Sequence, residues 1–300
     1  MRYYSFNEYL KKTFHAKVYR LSLDAGFTCP NRDGKVGTEG CVYCNEEGFA
    51  VYAGSGKTLK TQIEESMVFV RKKYKAEKFI AYFQNATNTY ASADKLKETY
   101  DVIKGYPDIV GLYISTRPDC VDAEKLDLIK QYLQEYDVWI EYGVQSAKDA
   151  TLSAIGRGHD FAAAERAIHE TAERGIKAGA HVILGLPGET ADDMIDTMKK
   201  VSAMPVSGIK FHVLHVLKNT RLEEMYRSGK INLLSMGEYA NIVCECLGYT
   251  SRESVIFRLV SDAARDVLVA PEWVNDKQKA IRLIEETLER KDIYQGKYLS

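Results

Sequence analysis

Cys29, Cys41 and Cys44 stand in the stretch FTCPNRDGKVGTEGCVYCNEEGFA, residues 27–50. Eleven residues separate the first two cysteines and two separate the last pair. Thiols so spaced, in a loop rich in glycine and charge, suit a metal or redox site better than a disulfide framework. Three is one fewer than the ligands zinc and iron ordinarily take. Three readings compete: cysteines with no shared role, a zinc site completed by Cys120, and a 4Fe–4S cluster held by three thiolates. In the last case one iron stays open for the amino and carboxylate groups of an amino-acid-like cofactor.

These residues must be positioned by a scaffold, and the chain supplies a regular one. Apolar runs occur at 18–23, 78–83, 109–114, 138–144, 178–185 and 208–216, with helical patterns between them. Leu59, Ile63, Met67, Val70 and Tyr74 share one helix face, as do Leu126, Ile129, Leu133 and Tyr136, and Met194, Met198 and Val201. Six such units predict an α/β fold with a parallel sheet, a partial (β/α)6 TIM-like barrel over 18–217. An N-terminal segment, 1–17, precedes it, and a mixed α/β C-terminal extension, 218–300, follows. Functional residues are expected at the C-terminal ends of the strands. The segments there are FTCPN, FQNATNTY, STRPD, GVQSA, GLPGET and LKNT, and most carry polar or sulfur chemistry.

With these segments included, the sequence resembles the radical S-adenosylmethionine enzymes. It is most similar to the branch containing the Elongator catalytic subunit and to small bacterial proteins related to it. The gap between the first two cysteines is wider than the family's commonest pattern. The resemblance implies Cys29, Cys41 and Cys44 as cluster ligands and S-adenosylmethionine as cofactor. It further implies that Gln84 and Asn85 meet the methionyl amino group and that Gln145, in the motif beginning at Glu141, meets the ribose. Arg157, in IGRGH, would pair with the methionyl carboxylate. His181 stands where some relatives carry a ribose-binding aspartate, and Gly185 and Pro187 belong to a motif that reads adenine. Ser115 and Arg117 complete the cofactor set. His212, His215 and Lys218 are the candidates for substrate chemistry, the two histidines on opposite faces of the sixth strand.

The same resemblance implies reductive cleavage of S-adenosylmethionine to a hydrogen-abstracting radical. The electron would come from an external donor such as flavodoxin or ferredoxin. The implied substrate is tRNA, modified on the C5 side chain of its wobble uridine. IGRGH also resembles coproporphyrinogen-type relatives, which implies a small-molecule alternative such as a tetrapyrrole. A zinc-dependent RNA-binding module is the non-enzymatic alternative. The N-terminal segment and the extension are the expected lids, with Arg258 and Ala270–Trp273 lining them.

Composition limits the rest. A net charge of −1 and a pI near 6.6 supply no overall field for DNA or anionic lipid. Basic residues do cluster at Lys11, Lys12, Lys17 and Arg20 and again at Arg71–Lys78, in a chain with 20 tyrosines. Such patches suit RNA, although the helix dipole alone also favours cations at a helix C-terminus. With no signal core and no run of about 18 apolar residues, the protein is expected to be soluble and cytoplasmic. GSGKT at 54–58 lacks the first glycine of a nucleotide loop and is expected to be a turn before a helix. Cys244 and Cys246 are expected in the core.

Overall fold

The computed structural model describes residues 1–45 and 56–299. Helix α1 (Phe6–Phe14) is followed by strand β1 (Val18–Leu23), α2 (Leu59–Tyr74), β2 (Lys78–Phe83), α3 (Ala93–Asp101) and β3 (Ile109–Thr116). The chain continues through α4 (Ala123–Lys130), β4 (Asp137–Gln145), α5 (Asp149–Ala154), α6 (Phe161–Glu173), β5 (Lys177–Leu184), α7 (Ala191–Ser202) and β6 (Gly208–Val213). After a short β7 (Val216–Leu217) come α8 (Arg221–Arg227), α9 (Met236–Gly248), β8 (Val255–Arg258), β9 (Leu268–Ala270) and α10 (Lys277–Arg290). Part of GSGKT lies outside the described residues. Its last member, Thr58, caps α2 by accepting the Thr61 amide at 3.2 Å.

Seven parallel strands form one sheet in the order β1-β2-β3-β4-β5-β6-β8. The expected six units are present. The strand-like run in the extension adds a seventh neighbour, pairing Gly208 with Val255 and Ile209 with Ile256. The sheet is curled into a partial barrel, and one bond demonstrates it. In a flat sheet, side chains on β2 and β6 would be about 19 Å apart, four strand spacings. Here Lys210 Nζ on β6 lies 2.6 Å from the Tyr82 hydroxyl on β2.

The inside of that curve is layered. At the strand beginnings, Tyr113, Trp139 and Phe257 pack against Phe6 and Tyr9 of α1, with Trp139 and Phe257 rings 4.8 Å apart. The Tyr9 hydroxyl donates to Asp137, the first residue of β4, at 2.8 Å. The N-terminal segment is therefore a plug at the barrel's far end and does not lie over the strand C-termini as the expected lid would. Aromatic side chains place it there, because they fill the wide end that a partial barrel leaves open. Outside the curve, the helices cover the sheet with aliphatic side chains, and α9 contributes fully buried Cys244 and Cys246 to that layer. Among the described residues no helix is long and apolar enough to cross a membrane.

Candidate active site

The Cys29–Cys41 insert folds on itself. Arg32 N donates to Cys29 O at 2.8 Å, Val36 N to Pro30 O at 2.8 Å, and Gly40 N to Asn31 O at 2.8 Å. These closures turn eleven intervening residues into a compact loop that returns Cys41 toward Cys29. The insert carries the polar residues Asn31, Arg32, Asp33 and Lys35, and the structure separates them. Asp33 and Lys35 are exposed. Asn31 is buried and donates Nδ2 to Gly156 O (2.8 Å), Arg157 O (3.1 Å) and Cys41 Sγ (3.5 Å). Arg32 donates Nη2 to Cys44 O at 3.0 Å and Asn45 O at 2.6 Å. Both brace the thiols, a role that their surroundings in sequence do not signal.

The three thiols share one rim, close enough for Cys41 and Cys29 to raise the Cys44 thiol after burial has done so. Burial also pushes Cys41 upward, but the Arg157 guanidinium, with Nη1 3.8 Å from Sγ, brings it below the ordinary thiol value. The guanidinium thus favours the thiolate of Cys41, the form that ligates metal. Cys120 behaves differently. Burial and Asp119 push it up to about 12, and its Sγ faces Asp119 Oδ1 at 3.9 Å. Among the described residues no three His, Cys, Asp or Glu side chains converge to hold a single metal ion.

Around this rim lie buried polar atoms without partners among the described residues. Arg157 Nη2 donates to Gly143 O at 2.9 Å while its Nε has no partner. Arg117 grips Asp119 through Nε and Nη2 at 2.9 and 2.8 Å, leaving buried Nη1 without one. Gln145 ends β4 at φ +68° with Oε1 likewise unpartnered. Buried groups of this kind are rare in finished cores and mark a place where a ligand completes the bonding. Gly143 makes the arrangement sterically possible: a Cβ there would lie 2.5 Å from Arg157 Nη2 and 2.7 Å from Gln145 Nε2. Gly158 does the same for the insert, since its Cβ would meet Val36 at 2.4 Å and Asn31 Oδ1 at 2.8 Å.

The remaining expected residues take their places at the same end. Gln84 is half-buried with its amide on Leu23 O at 3.3 Å, and Asn85 is buried. Asn88, not singled out in the sequence, ties this loop to β3 by donating to Asn85 O (2.8 Å) and Ser115 O (2.9 Å). Its only signal there is the preference of asparagine for turns. Gly185, at φ +90°, and Pro187 turn the chain from β5 into α7, which opens on a Thr190–Asp193 capping box.

Below the rim the barrel interior is charged. Glu141 faces inward with Oε2 2.7 Å from Lys210 Nζ and 2.8 Å from the Tyr82 hydroxyl, and Oε1 is 3.9 Å from Arg20. Its carboxylate therefore lies deeper than Gly143 and is committed to the barrel wall. Arg20 leaves the surface basic cluster to which the sequence assigns it, because alternation on β1 turns it inward. Arg258, expected in a lid, also lies inside, 2.8 Å from His212 Nδ1 and 3.4 Å from His181 Nε2. His212 and His215 are not on opposite faces. Their rings are 4.7 Å apart, because β6 ends at Val213 and the two-residue alternation stops before His215. Ser261 Oγ lies 3.0 Å from His215 Nε2. Lys218 is exposed at the β7–β9 ribbon, its amide donating to Val267 O at 2.9 Å.

Burial lowers all three histidines, and nearby cations add to it: Lys210 and Arg258 on His181, Arg258 on His212 and on His215, which falls to about 3. In the unfolded chain each protonates near pH 6.5. Because the folded values are depressed, stability is complete above that pH and is lost as pH falls below it. Urea unfolding below about pH 6 should therefore lose up to roughly 4 kcal/mol per pH unit, three protons at about 1.4 each. His215→Asn should remove about a third of that slope. An unchanged slope would place the acid sensitivity in other groups.

The radical SAM superfamily model matches residues 32–201, and the radical SAM C-terminal domain model matches residues 206–290. The chain is 36% identical over 298 residues to the Bacillus subtilis protein YtqA, covering 99% of this chain and 92% of that protein. It is 37% identical over 269 residues to Escherichia coli YhcC, covering 89% and 86%. Among solved structures, N-terminally truncated archaeal Elp3 from Methanocaldococcus infernus has a TM-score of 0.68 at 17% identity, covering 93% of this chain and 64% of that one. At that identity the likeness is one of fold. With a family model spanning more than half of the chain, and relatives this similar along nearly its whole length, the chain belongs to the radical S-adenosylmethionine superfamily, whose enzymes use a 4Fe–4S cluster and S-adenosylmethionine.

Proposed function

We propose that Cys29, Cys41 and Cys44 hold the cluster and that the enzyme modifies the C5 side chain of the wobble uridine of tRNA. The observation that carries the cofactor assignment is the rim of three thiols faced by Arg157, which donates to Cys41 Sγ and keeps a buried Nε without a partner. When bound, the cluster supplies the single electron that turns S-adenosylmethionine into a hydrogen-abstracting radical. The chain's own residues do the positioning. Arg157 and Arg117 offer guanidinium groups to the methionyl carboxylate, and bidentate pairing suits that anion. Gln145 presents its unpartnered carbonyl to the ribose hydroxyls. The Gln84–Asn85 and Ser115 loops take the amino group, and the Gly185–Pro187 turn takes the adenine. His212 and His215 face the reacting part of the substrate. His181, which the resemblance puts at the ribose, lies 3.2 Å from His212 and so stands between cofactor and substrate, and exposed Lys218 stands where a backbone phosphate of RNA can meet it. The electron comes from an external flavodoxin or ferredoxin.

The Elongator-like resemblance supports the RNA substrate. Nucleosides of tRNA from cells with and without the gene are the test. Loss of one wobble-uridine modification, with its precursor accumulating, is expected. Unchanged wobble uridines would remove the RNA reading and leave a small-molecule substrate.

A further inference from the structure

The barrel interior holds more positive charge than it neutralises. Arg20, Lys210 and Arg258 point inward from β1, β6 and β8, and among the described residues the acid buried between them is Glu141. Asp262 also reaches Arg258 and His215 electrostatically, but it is exposed, with Lys277 at 3.4 Å. Glu141 is engaged by Lys210 and Tyr82 and has Arg20 close by. Among the described residues Arg258 has no carboxylate at hydrogen-bonding distance; it meets Phe211 O at 3.3 Å and the ring nitrogens of His181 and His212. A guanidinium cannot shed its proton, so this charge cannot be relieved as a buried lysine's can. Lys210 shows the pressure: burial, only partly answered by Glu141, lowers it to about 8.

Arg258 and His181 are half-buried, which leaves them facing the hollow of the barrel below the Arg157 rim. Arg258 Nη2 lies 2.8 Å from His212 Nδ1, which is assigned as the acceptor and leaves that ring's proton on Nε2, while His181 Nε2, 3.2 Å from the same Nδ1, is assigned as the donor of that pair. Two neutral imidazoles beside an unneutralised guanidinium accommodate an anion without competing for its charge.

We propose that Arg258, flanked by His181 and His212, binds an anionic group of the substrate, a carboxylate or a phosphate, and fixes it below the cofactor. The proposal rests on the reading of the barrel interior as the reaction chamber, and it holds for an RNA or a small molecule. It makes Arg258 a specificity-determining residue.

Thermal unfolding of the cluster-loaded enzyme, saturated with S-adenosylmethionine, tests it at constant ionic strength with chloride replaced by acetate or by inorganic phosphate. One of the two is expected to raise the melting temperature saturably, as ligand binding to the folded state does. Acetate assigns a carboxylate, phosphate a phosphoryl group. Arg258→Gln should weaken the apparent affinity by about tenfold or more, the scale of a charge-assisted hydrogen bond. Arg258→Lys, which keeps the charge, should restore part of it, and it serves as the test should the glutamine variant not fold. No saturable response in the wild type, or an equal response in the glutamine variant, overturns the proposal. So does a response seen only without S-adenosylmethionine, because the site would then be the cofactor's. Because the assay contains no tRNA, its failure leaves the wobble-uridine reading to its own test. Unchanged wobble uridines with a saturable, Arg258-dependent response would remove that reading and keep this one.

Discussion

Replacing Cys41 by alanine is expected to leave a folded, colourless protein with well under one iron per chain, against about four in the wild type. Reductive cleavage of S-adenosylmethionine should fall by at least about a thousandfold, to the level without enzyme. Three thiols share the rim and none is spare. Cys41 is also the thiol most strongly prepared for ligation, by Arg157 at 3.8 Å and Asn31 at 3.5 Å. Iron analysis and quantification of the cleavage products read the two effects separately. Two controls sharpen the result. Cys244→Ala alters a core helix and should retain iron. Cys120→Ala should retain it too, since Cys120 Sγ is turned to Asp119 Oδ1 at 3.9 Å. Iron loss in that variant would make Cys120 a ligand and restore the four-thiol alternative. Full iron and activity in the Cys41 variant would sink the assignment itself.

The second large effect is expected from a single methyl group. Gly143→Ala places a Cβ 2.5 Å from Arg157 Nη2 and 2.7 Å from Gln145 Nε2, so both side chains must leave their positions. Arg157 would lose its bond to Gly143 O and its approach to Cys41, and Gln145 is already held at φ +68° with little freedom to adjust. The three cysteines themselves are untouched. Iron content should therefore stay near the wild-type value while kcat/KM for cleavage falls by about 100-fold, mainly through KM, as loss of a charge-assisted clamp predicts. Gly237→Ala is the matched control. Nothing lies within 4 Å of a Cβ there, and alanine favours the helix it joins. Unchanged KM in the Gly143 variant would remove Arg157 and Gln145 from the cofactor's surroundings.

Local pattern carried much of this protein into view. The runs at 18–23 and 78–83 are the strands β1 and β2 residue for residue, because β-branched and aromatic side chains mark them as strands even where Arg20, Ser22 and Lys78 interrupt the apolar pattern. The helix N-caps at Thr58, Thr190 and Ser235 obey side-chain chemistry visible in any sequence. The spacing of the three cysteines likewise anticipated that their thiols would share one rim. What local pattern misplaced were residues whose roles depend on distant partners. His215 follows the end of β6 and so escapes the alternation assumed for it. Arg20 sits in a basic run yet faces Glu141, which is 121 positions away in the chain. Asn31 and Arg32 sit in a polar loop tip yet brace the thiols.

By itself the sequence determined the βα alternation, the end of the sheet that carries chemistry, and the three thiols that make a cluster the best-fitting group. Those features depend on side chains within a few residues of one another, where spacing is geometry. Only the tertiary structure decided that the first helix plugs the far end, that the extension lends a seventh strand, and that Arg258 stands unneutralised inside the barrel. Each depends on the curl that brings β2 and β6 to within 2.6 Å of each other through Tyr82 and Lys210. That closure is a property of the whole sheet, summed over the twist of every strand pair, and no single stretch of sequence contains it.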